Sequence, residues 1–405
     1  MKTKFFSCPW VLLLGVAVSL TLVSCGPSCS DSNKPEIPIL AWYSIPPGEN
    51  MTVERFRELK DCGFTLSFSH IYSDEDAQRA LDLCAEVGMK SVYMSPSLER
   101  TPDSIVRVVM NHPGLGAYFL RDEPGNDAMD ALGEWGRRIA AVDSVHPCYL
   151  NLLPRHAFPS AEDYRYHLQL FDERVNLPQI SYDHYPINQS GDTVWLNPWF
   201  FENLELVREE ALRVGKPFWA FALATAHNPY PIPTLDHLRL QLYADLAYGA
   251  QCLQYFTYWN PGTETWNFHQ APITQEGRRS PVYELVKGMN RELQSRAEVF
   301  VGCTIDSVRH AGHPLPIGTT ALSGLPPHFT RLDTGGRPAL VSVITNGDDH
   351  YILLQNTSAN HPLSLELETD GHLLFLPLYG TPQDASKYGP LFLLPPGDIL
   401  LFKSK

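Results

Sequence analysis

Short apolar segments and amphipathic segments alternate from residue 38 to about residue 300. The apolar segments are rich in β-branched and aromatic side chains, which is typical of buried strands. The amphipathic segments carry apolar residues at three- and four-residue spacing and end in Gly, which is typical of surface helices. The predicted strands are ILAWYSIP (39–46), FTLSFSHIYS (64–73), KSVYMSPS (90–97), GAYFLRDEP (116–124), CYLNLLP (148–154), QISYDHYP (179–186), FWAFALATAH (218–227) and LQYFTYWNP (253–261).

Eight strand–helix units of this size predict an α/β chain with a (β/α)₈ TIM barrel, a closed ring of parallel strands inside a ring of helices. The alternative is a doubly wound sheet. That fold usually carries a glycine-rich phosphate-binding turn after an early strand, and the sequence has none. With the eighth helix predicted at 280–300, the barrel is expected to span residues 38–300.

The pattern changes after residue 300. The segment ALVSVITNGDDHYILLQNTS predicts two strands joined by a tight turn, and LSLELETDGHLLFLPLYG and GDILLFKSK continue in the same style. We therefore predict a small antiparallel β-sandwich domain at residues 301–405, packed on the barrel.

The N-terminus has the features of a targeting segment. Lys2 and Lys4 precede an apolar run that is too short for a membrane-spanning helix. The run ends in Leu22-Val23-Ser24-Cys25, which resembles a bacterial lipobox, whose Cys is lipidated; the alternative is an ordinary cleaved signal peptide. Residues 1–25 are thus predicted to be a lipoprotein signal peptide with its lipobox, and 26–37 a flexible tether. The expected location is the cell envelope, at either face of the outer membrane.

The composition limits the classes of function that this chain can have. The formal net charge of −14 argues against nucleic acid as a partner, because nucleic acid requires clustered Lys and Arg. The cysteines of the predicted barrel stand singly in apolar stretches, and no Cys or His spacing is typical of a metal site. The sequence therefore predicts no metal and no organic cofactor.

The active sites of such barrels lie at the carboxyl ends of the strands. There the sequence places acidic, aromatic and amide side chains. Aromatic faces stack on sugar rings, and paired carboxylates perform acid–base chemistry at a glycosidic bond. Each residue also has a structural explanation, such as an ion pair between Arg121 and Asp122, but their convergence favours a carbohydrate site. The predicted catalytic residues are Glu123, Asp122 and Asp183, and the predicted sugar-binding residues are Trp42, His70, Arg121, Asn151, Tyr185, Tyr258 and Trp259.

The segment YFLRDEP at the end of the fourth strand is similar to the glycoside hydrolases of clan A, which carry their acid/base Glu there, usually after Asn. This resemblance implies that Glu123 is the proton donor and that Trp259 is a sugar platform. The sequence departs from the clan in two respects. Asp122 replaces the Asn, and residues 216–234 around the seventh strand contain no Asp or Glu, although the clan's nucleophile belongs there.

The adjacent Asp-Glu pair also resembles glycoside hydrolase family 123, which has a DEP-like motif and uses the substrate as nucleophile. This resemblance implies that Asp122 holds a 2-acetamido group while Glu123 protonates the leaving oxygen. Alternatively, Asp183 acts as nucleophile or as the base of an inverting reaction. We therefore expect a lipid-anchored glycoside hydrolase acting on a glycan; the other hypothesis is a non-catalytic glycan-binding lipoprotein on a degenerate barrel.

Overall fold

The structure is a computed structural model that describes residues 34–262 and 266–405. The predicted signal peptide, the lipobox with Cys25 and most of the tether lie outside these residues. Within the described part of the chain, none of the helices combines the length and the apolar composition that crossing a bilayer requires.

The core of the protein is a ring of eight parallel strands. Neighbouring strands pair in the order β5-β4-β3-β2-β1-β10-β9-β6. The ring closes between β5 and β6, where the Leu152 N–H donates to the Ser181 carbonyl at 2.8 Å. The strands of the ring are β1 Ile39–Trp42, β2 Leu66–Ser67, β3 Lys90–Tyr93, β4 Leu115–Asp122, β5 Cys148–Asn151, β6 Ile180–Tyr182, β9 Phe218–Leu223 and β10 Cys252–Phe256.

Helices follow every strand of the ring and cover its outer face. Ser or Thr caps several of them by accepting a backbone N–H of the first turn, as Ser73 does for the second helix. That helix ends at Gly88, whose φ of +69° suits glycine best. The helices are α1 Val53–Asp61, α2 Asp74–Val87, α3 Pro96–Arg100, α4 Pro102–Val109, α5 Met129–Ala140, α6 Ala161–Arg174, α7 Phe200–Val214, α8 Leu235–Tyr248, α9 Pro281–Gln294 and α10 Ala297–Phe300.

The C-terminal region forms two antiparallel sheets that face each other across an apolar core. The larger sheet has the order β11-β13-β14-β19-β16-β17 and the smaller one β12-β15-β18. The predicted barrel with a C-terminal β region is thus confirmed, while the domain boundary at residues 300/301 stays a prediction. The strands are β11 Thr304–Ala311, β12 Phe329–Asp333, β13 Ala339–Asn346, β14 Asp349–Asn356, β15 Leu363–Thr369, β16 Leu373–Phe375, β17 Gln383–Asp384, β18 Leu391–Leu394 and β19 Ile399–Ser404.

Helix α8 lies between the barrel and the larger C-terminal sheet. It is buried on two sides, because one side packs on barrel strand β9 and the other on β13 and β14. Polar contacts fix this arrangement: the Ser342 hydroxyl donates to the Ala247 carbonyl at 2.8 Å, and Gln355 Nε2 donates to the Leu240 carbonyl at 3.1 Å. Barrel and sheet therefore share one continuous core.

The sequence pattern missed a hairpin after β6, formed by β7 Ile187–Ser190 and β8 Thr193–Leu196. The Gln189 N–H donates to the Pro229 carbonyl at 2.7 Å, so the hairpin is tied to the loop that follows β9. This contact places the hairpin beside the carboxyl ends of the barrel strands.

Candidate active site

Aromatic side chains fill the interior of the barrel. The Trp42 indole is 1% exposed and packs against Phe68 with ring centroids 4.4 Å apart and against Phe221 at 5.4 Å. Leu40 on β1 and Tyr149 on β5 belong to the same interior cluster. The barrel is therefore closed below Trp42, and only its upper end is open to a ligand.

Above Trp42 lies a cavity of about 690 Å³. We name two parts of its lining for the rest of the description. The acid wall consists of Asp122, Glu123, Asn151 and Asp183, and the aromatic wall of His227, Tyr230, Phe256, Trp266 and Phe268. The other lining residues include Trp42, Tyr43, His156, Tyr185 and Phe221.

Two backbone features bring the adjacent acids Asp122 and Glu123 into one cavity. A bulge between Phe119 and Arg121 shifts the register of β4 against β5, so that Asp122 pairs with Asn151 and faces the barrel interior. Glu123 then adopts a left-handed φ of +45°, and its N–H donates to the Asn151 carbonyl at 2.8 Å. Side chains that would alternate on a regular strand therefore both reach the cavity.

Asn151 links the carboxyls of β4 and β6. Its Nδ2 donates to Asp183 Oδ1 at 2.8 Å and to Asp122 Oδ1 at 3.2 Å. The carboxyl of Glu123 lies within hydrogen-bonding reach of the Asp183 carboxyl. Three acids thus meet at one point, and a proton is required between Glu123 and Asp183 because two carboxylates only accept hydrogen bonds.

Enclosure by protein raises the pKa of all three acids. Burial, followed by the charge of Glu123, raises the pKa of Asp122 to about 7, against the lowering effect of the Asn151 hydrogen bond. Burial also raises the pKa of Glu123, against the lowering effect of the Asp183 hydrogen bond, and raises more strongly that of Asp183, which the charges of Glu123 and Asp122 raise further. Burial therefore favours the protonated form of these carboxyls, and a retained proton is what a general acid needs.

The aromatic wall comes from Phe256 at the end of β10 and from the loops after β9 and β10. The Ala226 and His269 backbones exchange hydrogen bonds at 3.0 and 2.9 Å, which joins the two loops. His227 stacks near Phe268 with ring centroids 4.6 Å apart. Burial lowers the pKa of His227, so its ring stays neutral over more of the acid range. Among the described residues, no Lys or Arg lines the cavity.

The structure places three of the predicted sugar-binding residues in the cavity, namely Trp42, Asn151 and Tyr185. Four others lie outside it. Arg121 lines a separate depression, and His70 lines that depression and a second groove. Trp259 also lines the second groove, where the Arg55 guanidinium lies 5.3 Å from its ring centre. Tyr258 is buried against Phe64, with ring centroids 5.5 Å apart.

These displacements have local causes. The bulge in β4 brings Asp122 to the cavity and directs Arg121 away from it, which regular alternation would not do. On β10, Gln254 and Phe256 face the interior, but the chain turns after Phe256 and directs Tyr258 into the core beside α9. Most of the residues that replace them in the cavity stand in loops, where no periodic pattern marks them.

One group of possible metal ligands occurs among the described residues, away from the cavity-lining loops. His328, Asp370 and His372 lie at the ends of β12, β15 and β16, with ligand atoms within 4.8 Å of one another. Each imidazole Nδ1 contacts a different Asp370 oxygen, at 3.0 and 3.1 Å. These contacts give each imidazole a partner within the group, which sequence spacing had not suggested.

Comparisons with known proteins identify similar chains. Residues 144–296 match the sequence model of the glycoside hydrolase 42 family, described as β-galactosidase; the match covers less than half of the chain and includes Asn151 and Asp183 but not Glu123. A search of curated proteins gives no match.

Several solved glycosidases share the fold. A β-galactosidase from Bacillus circulans sp. alkalophilus has a TM-score of 0.61 at 9% identity, over 92% of this chain and 100% of that one. A catalytic mutant of a GH42 β-galactosidase from G. stearothermophilus has 0.55 at 8%, over 91% and 98%. The α-L-arabinofuranosidase from Thermotoga maritima, in complex with arabinose, has 0.51 at 10%, over 92% and 97%.

The chain is shorter than some of these relatives. It spans 60% of the β-galactosidase from the psychrophilic Marinomonas ef1 and 59% of that from the haloarchaeon Halorubrum lacusprofundi. Its fold is similar to that of the solved β-galactosidases, and residues 144–296 match the glycoside hydrolase 42 model.

Proposed function

We propose that the protein is a glycoside hydrolase that acts on a glycan or oligosaccharide at the bacterial cell envelope, with Glu123 as its general acid. One observation carries the proposal: three carboxyls from β4 and β6 meet in an aromatic-lined cavity at the open end of the barrel. Acid–base cleavage of a glycosidic bond needs a protonated carboxyl beside a second acid, and the acid wall supplies both.

The cleavage step that fits this geometry uses the substrate as nucleophile. The carbonyl oxygen of a 2-acetamido group attacks the anomeric carbon as the glycosidic C–O bond breaks, and Glu123 gives its proton to the leaving oxygen. Asp122 accepts a hydrogen bond from the acetamido N–H. Water, deprotonated by Glu123, then opens the cyclic intermediate. Support comes from the adjacent positions of Asp122 and Glu123 and from the resemblance of the DEP segment to family 123.

The alternative assigns the nucleophile or base to Asp183. Retaining enzymes hold their two carboxyls roughly 5 to 5.5 Å apart and inverting enzymes about 6.5 to 9.5 Å apart, because the sugar lies between them. The Glu123 and Asp183 carboxyls lie within hydrogen-bonding reach of each other, which argues against the wider inverting spacing. We expect Asp183 to be essential in either mechanism.

The charges of the cavity select the sugar. Acidic residues line it, and no Lys or Arg does so among the described residues. An anionic sugar such as a uronic acid would therefore meet like charges without a counter-ion. We infer that the sugar in this cavity carries no negative charge.

The first experiment is a panel of 4-nitrophenyl glycosides that includes β-galactoside, β-glucuronide and the 2-acetamido-2-deoxy-β-hexosides. We expect release of nitrophenol from the 2-acetamido sugars and no release from the glucuronide. A thiazoline analogue of the cyclised intermediate should inhibit the reaction. Turnover of the β-galactoside without thiazoline inhibition would indicate that Asp183 is the nucleophile. If no neutral glycoside is turned over, the proposal that the protein is a hydrolase is contradicted.

The second candidate function is glycan binding without catalysis. The absence of a carboxylate at the described end of β9, where Thr225 and His227 stand, favours it. A binding protein should retain affinity in Glu123→Gln and show no turnover in the wild type. An enzyme should lose turnover in that variant while still binding the sugar.

The envelope location rests on the sequence of residues 1–25 alone. Expression of the full chain in a Gram-negative host should place it in the membrane fraction. Cys25→Ala should then release it into the soluble fraction if Cys25 carries the lipid anchor, and should leave its distribution unchanged if it does not.

A further inference from the structure

Below the acid wall, four buried polar side chains form one hydrogen-bonded chain across the barrel interior. Tyr149 OH donates to Gln254 Oε1 at 2.6 Å, and Gln254 Nε2 donates to Ser181 Oγ at 2.9 Å. The Ser181 hydroxyl donates to Asn151 Oδ1 at 3.1 Å. Asn151 Nδ2 then donates to Asp183 and Asp122. The chain joins β5, β6 and β10, which are not all neighbours in the ring.

The chemistry of its two ends gives this chain one direction. At one end, the Tyr149 phenol keeps its proton, because burial holds its pKa well above the usual range, and it donates to Gln254. The Gln254 amide must then present Nε2 to Ser181. The Ser181 hydroxyl has two acceptors in reach, and Asn151 Oδ1 at 3.1 Å is nearer than the Tyr149 oxygen at 3.4 Å. A flipped Asn151 amide would place its single oxygen against the two acids and its N–H groups against the Ser181 proton.

We infer that Tyr149, Gln254 and Ser181 are positioning residues that hold the Asn151 amide with its N–H groups on Asp122 and Asp183, so that the proton shared in the Glu123–Asp183 contact stays on Glu123. Asp183 receives a hydrogen bond from Asn151, whereas no described side chain other than Asp183 bonds to the Glu123 carboxyl. A carboxylate that accepts an N–H is stabilised in its ionised form, so Glu123 retains the proton.

Two effects oppose this assignment. Asp183 is the more enclosed of the two acids and is the costlier one to ionise, and the hydrogen bond between them lowers the pKa of Glu123 and raises that of Asp183. The inference therefore requires that the Asn151 hydrogen bond outweighs both effects. The titratable groups that face the acids from the surrounding elements are Tyr43, Tyr149, Tyr164, Tyr185, Tyr230, His156 and His227. Burial raises the pKa of these tyrosines and lowers that of the histidines, so all are neutral near pH 7.

This inference rests on the proposed function for the role of the proton, but its position can be measured without a substrate. Infrared spectra of the full chain, labelled with ¹³C-carboxyl Glu or ¹³C-carboxyl Asp, show which residue type carries a protonated carboxyl. Subtracting the spectrum of Glu123→Gln removes the bands of other buried acids. Asp245 is one of these, because burial also raises its pKa. In the wild type, the difference band should respond to Glu labelling.

Ser181→Ala breaks the chain with the loss of a single hydroxyl. We expect the band to respond to Asp labelling instead, and Ser181→Thr to restore the Glu response. Ser342→Ala is the matched control, since it removes a buried hydroxyl that bonds the Ala247 carbonyl outside the cavity. In this control variant, the band should still respond to Glu labelling. If Ser181→Ala does not fold, Tyr149→Phe removes the proton that begins the chain and should give the same exchange.

Activity gives a second readout. With a turned-over glycoside, Ser181→Ala should move the alkaline limb of kcat/KM to lower pH by about one unit, a tenfold change in the apparent ionisation constant. Ser342→Ala should leave the limb in place. If the band still responds to Glu labelling in both Ser181→Ala and Tyr149→Phe, the inference is overturned. Absence of any turnover would overturn the proposed function and leave the infrared result to decide this inference alone.

Discussion

The acid wall and the aromatic wall face each other across one cavity but are built in different ways. The acid wall stands on the strands β4, β5 and β6, and hydrogen bonds to Asn151 fix its carboxyls. The aromatic wall stands mainly on the loops after β9 and β10, which contact each other and the β7–β8 hairpin. The comparison separates two tasks. Under the proposed function, the reacting groups are held by the sheet, and the surfaces that would recognise a sugar are carried by connections whose length and sequence vary more easily.

The strongest test of the acid wall is Glu123→Gln. We expect kcat to fall by about 10³-fold on glycosides with poor leaving groups, because the leaving oxygen loses its proton donor. Substrates with very good leaving groups should lose less. The control is Glu134→Gln on the exposed side of α5, which should keep wild-type rates. Equal losses on good and poor leaving groups would argue against proton donation by Glu123.

A second test concerns the partner acid on β6. Asp183→Asn should lower kcat by about 10²-fold on every substrate, since it removes the carboxyl that contacts Glu123. Asp192→Asn, in the exposed turn of the β7–β8 hairpin, is the matched control. Initial rates at saturating substrate give the answer. Near wild-type turnover in Asp183→Asn would exclude Asp183 from the reaction in either mechanism.

The aromatic wall should affect binding rather than turnover. Trp266 is 58% exposed at the cavity edge, so Trp266→Ala should not destabilise the fold. We expect KM to rise about tenfold at nearly unchanged kcat, because a stacking surface contributes equally to substrate and transition state. Trp195→Ala removes a comparably exposed indole that does not line the cavity and should leave KM unchanged. A loss confined to kcat would mean that this wall takes part in the chemistry.

The smallest expected effect is on stability. The pKa of Asp122 is raised to about 7 in the folded chain, above its value near 4 when unfolded. Between these values the folded state binds more protons, so its stability falls as pH rises from about 4 to 7. Asp122→Asn removes this cost and should stabilise the protein above pH 7 by about 1 kcal/mol, a modest value because cavity water screens the carboxyl. Urea titrations measure the difference in the free energy of unfolding between variant and wild type, which should vanish below pH 4. If this difference is the same at all pH values, the prediction is contradicted.

The two walls were not equally predictable from sequence. The strand ends gave Glu123, Asp183 and Asn151, because strand period and barrel geometry together determine where a strand's last residues point. The same rule failed for Arg121 and Tyr258, since a bulge in β4 and a turn after Phe256 interrupt the alternation. Neither interruption has a marker in the sequence. Trp266 and Phe268 come from a loop, where position depends on tertiary contacts that no local pattern encodes.

The burial of α8 on two sides limits how this chain can be inherited and altered. A gene fragment that encodes only the barrel would leave Leu240 and Ala247 facing solvent where β13 and β14 now cover them. If another module replaced the C-terminal sheet, its surface would have to match this helix residue by residue. We therefore expect the barrel and its C-terminal sheet to have been transmitted as one genetic unit, with insertions tolerated in loops and not at their junction.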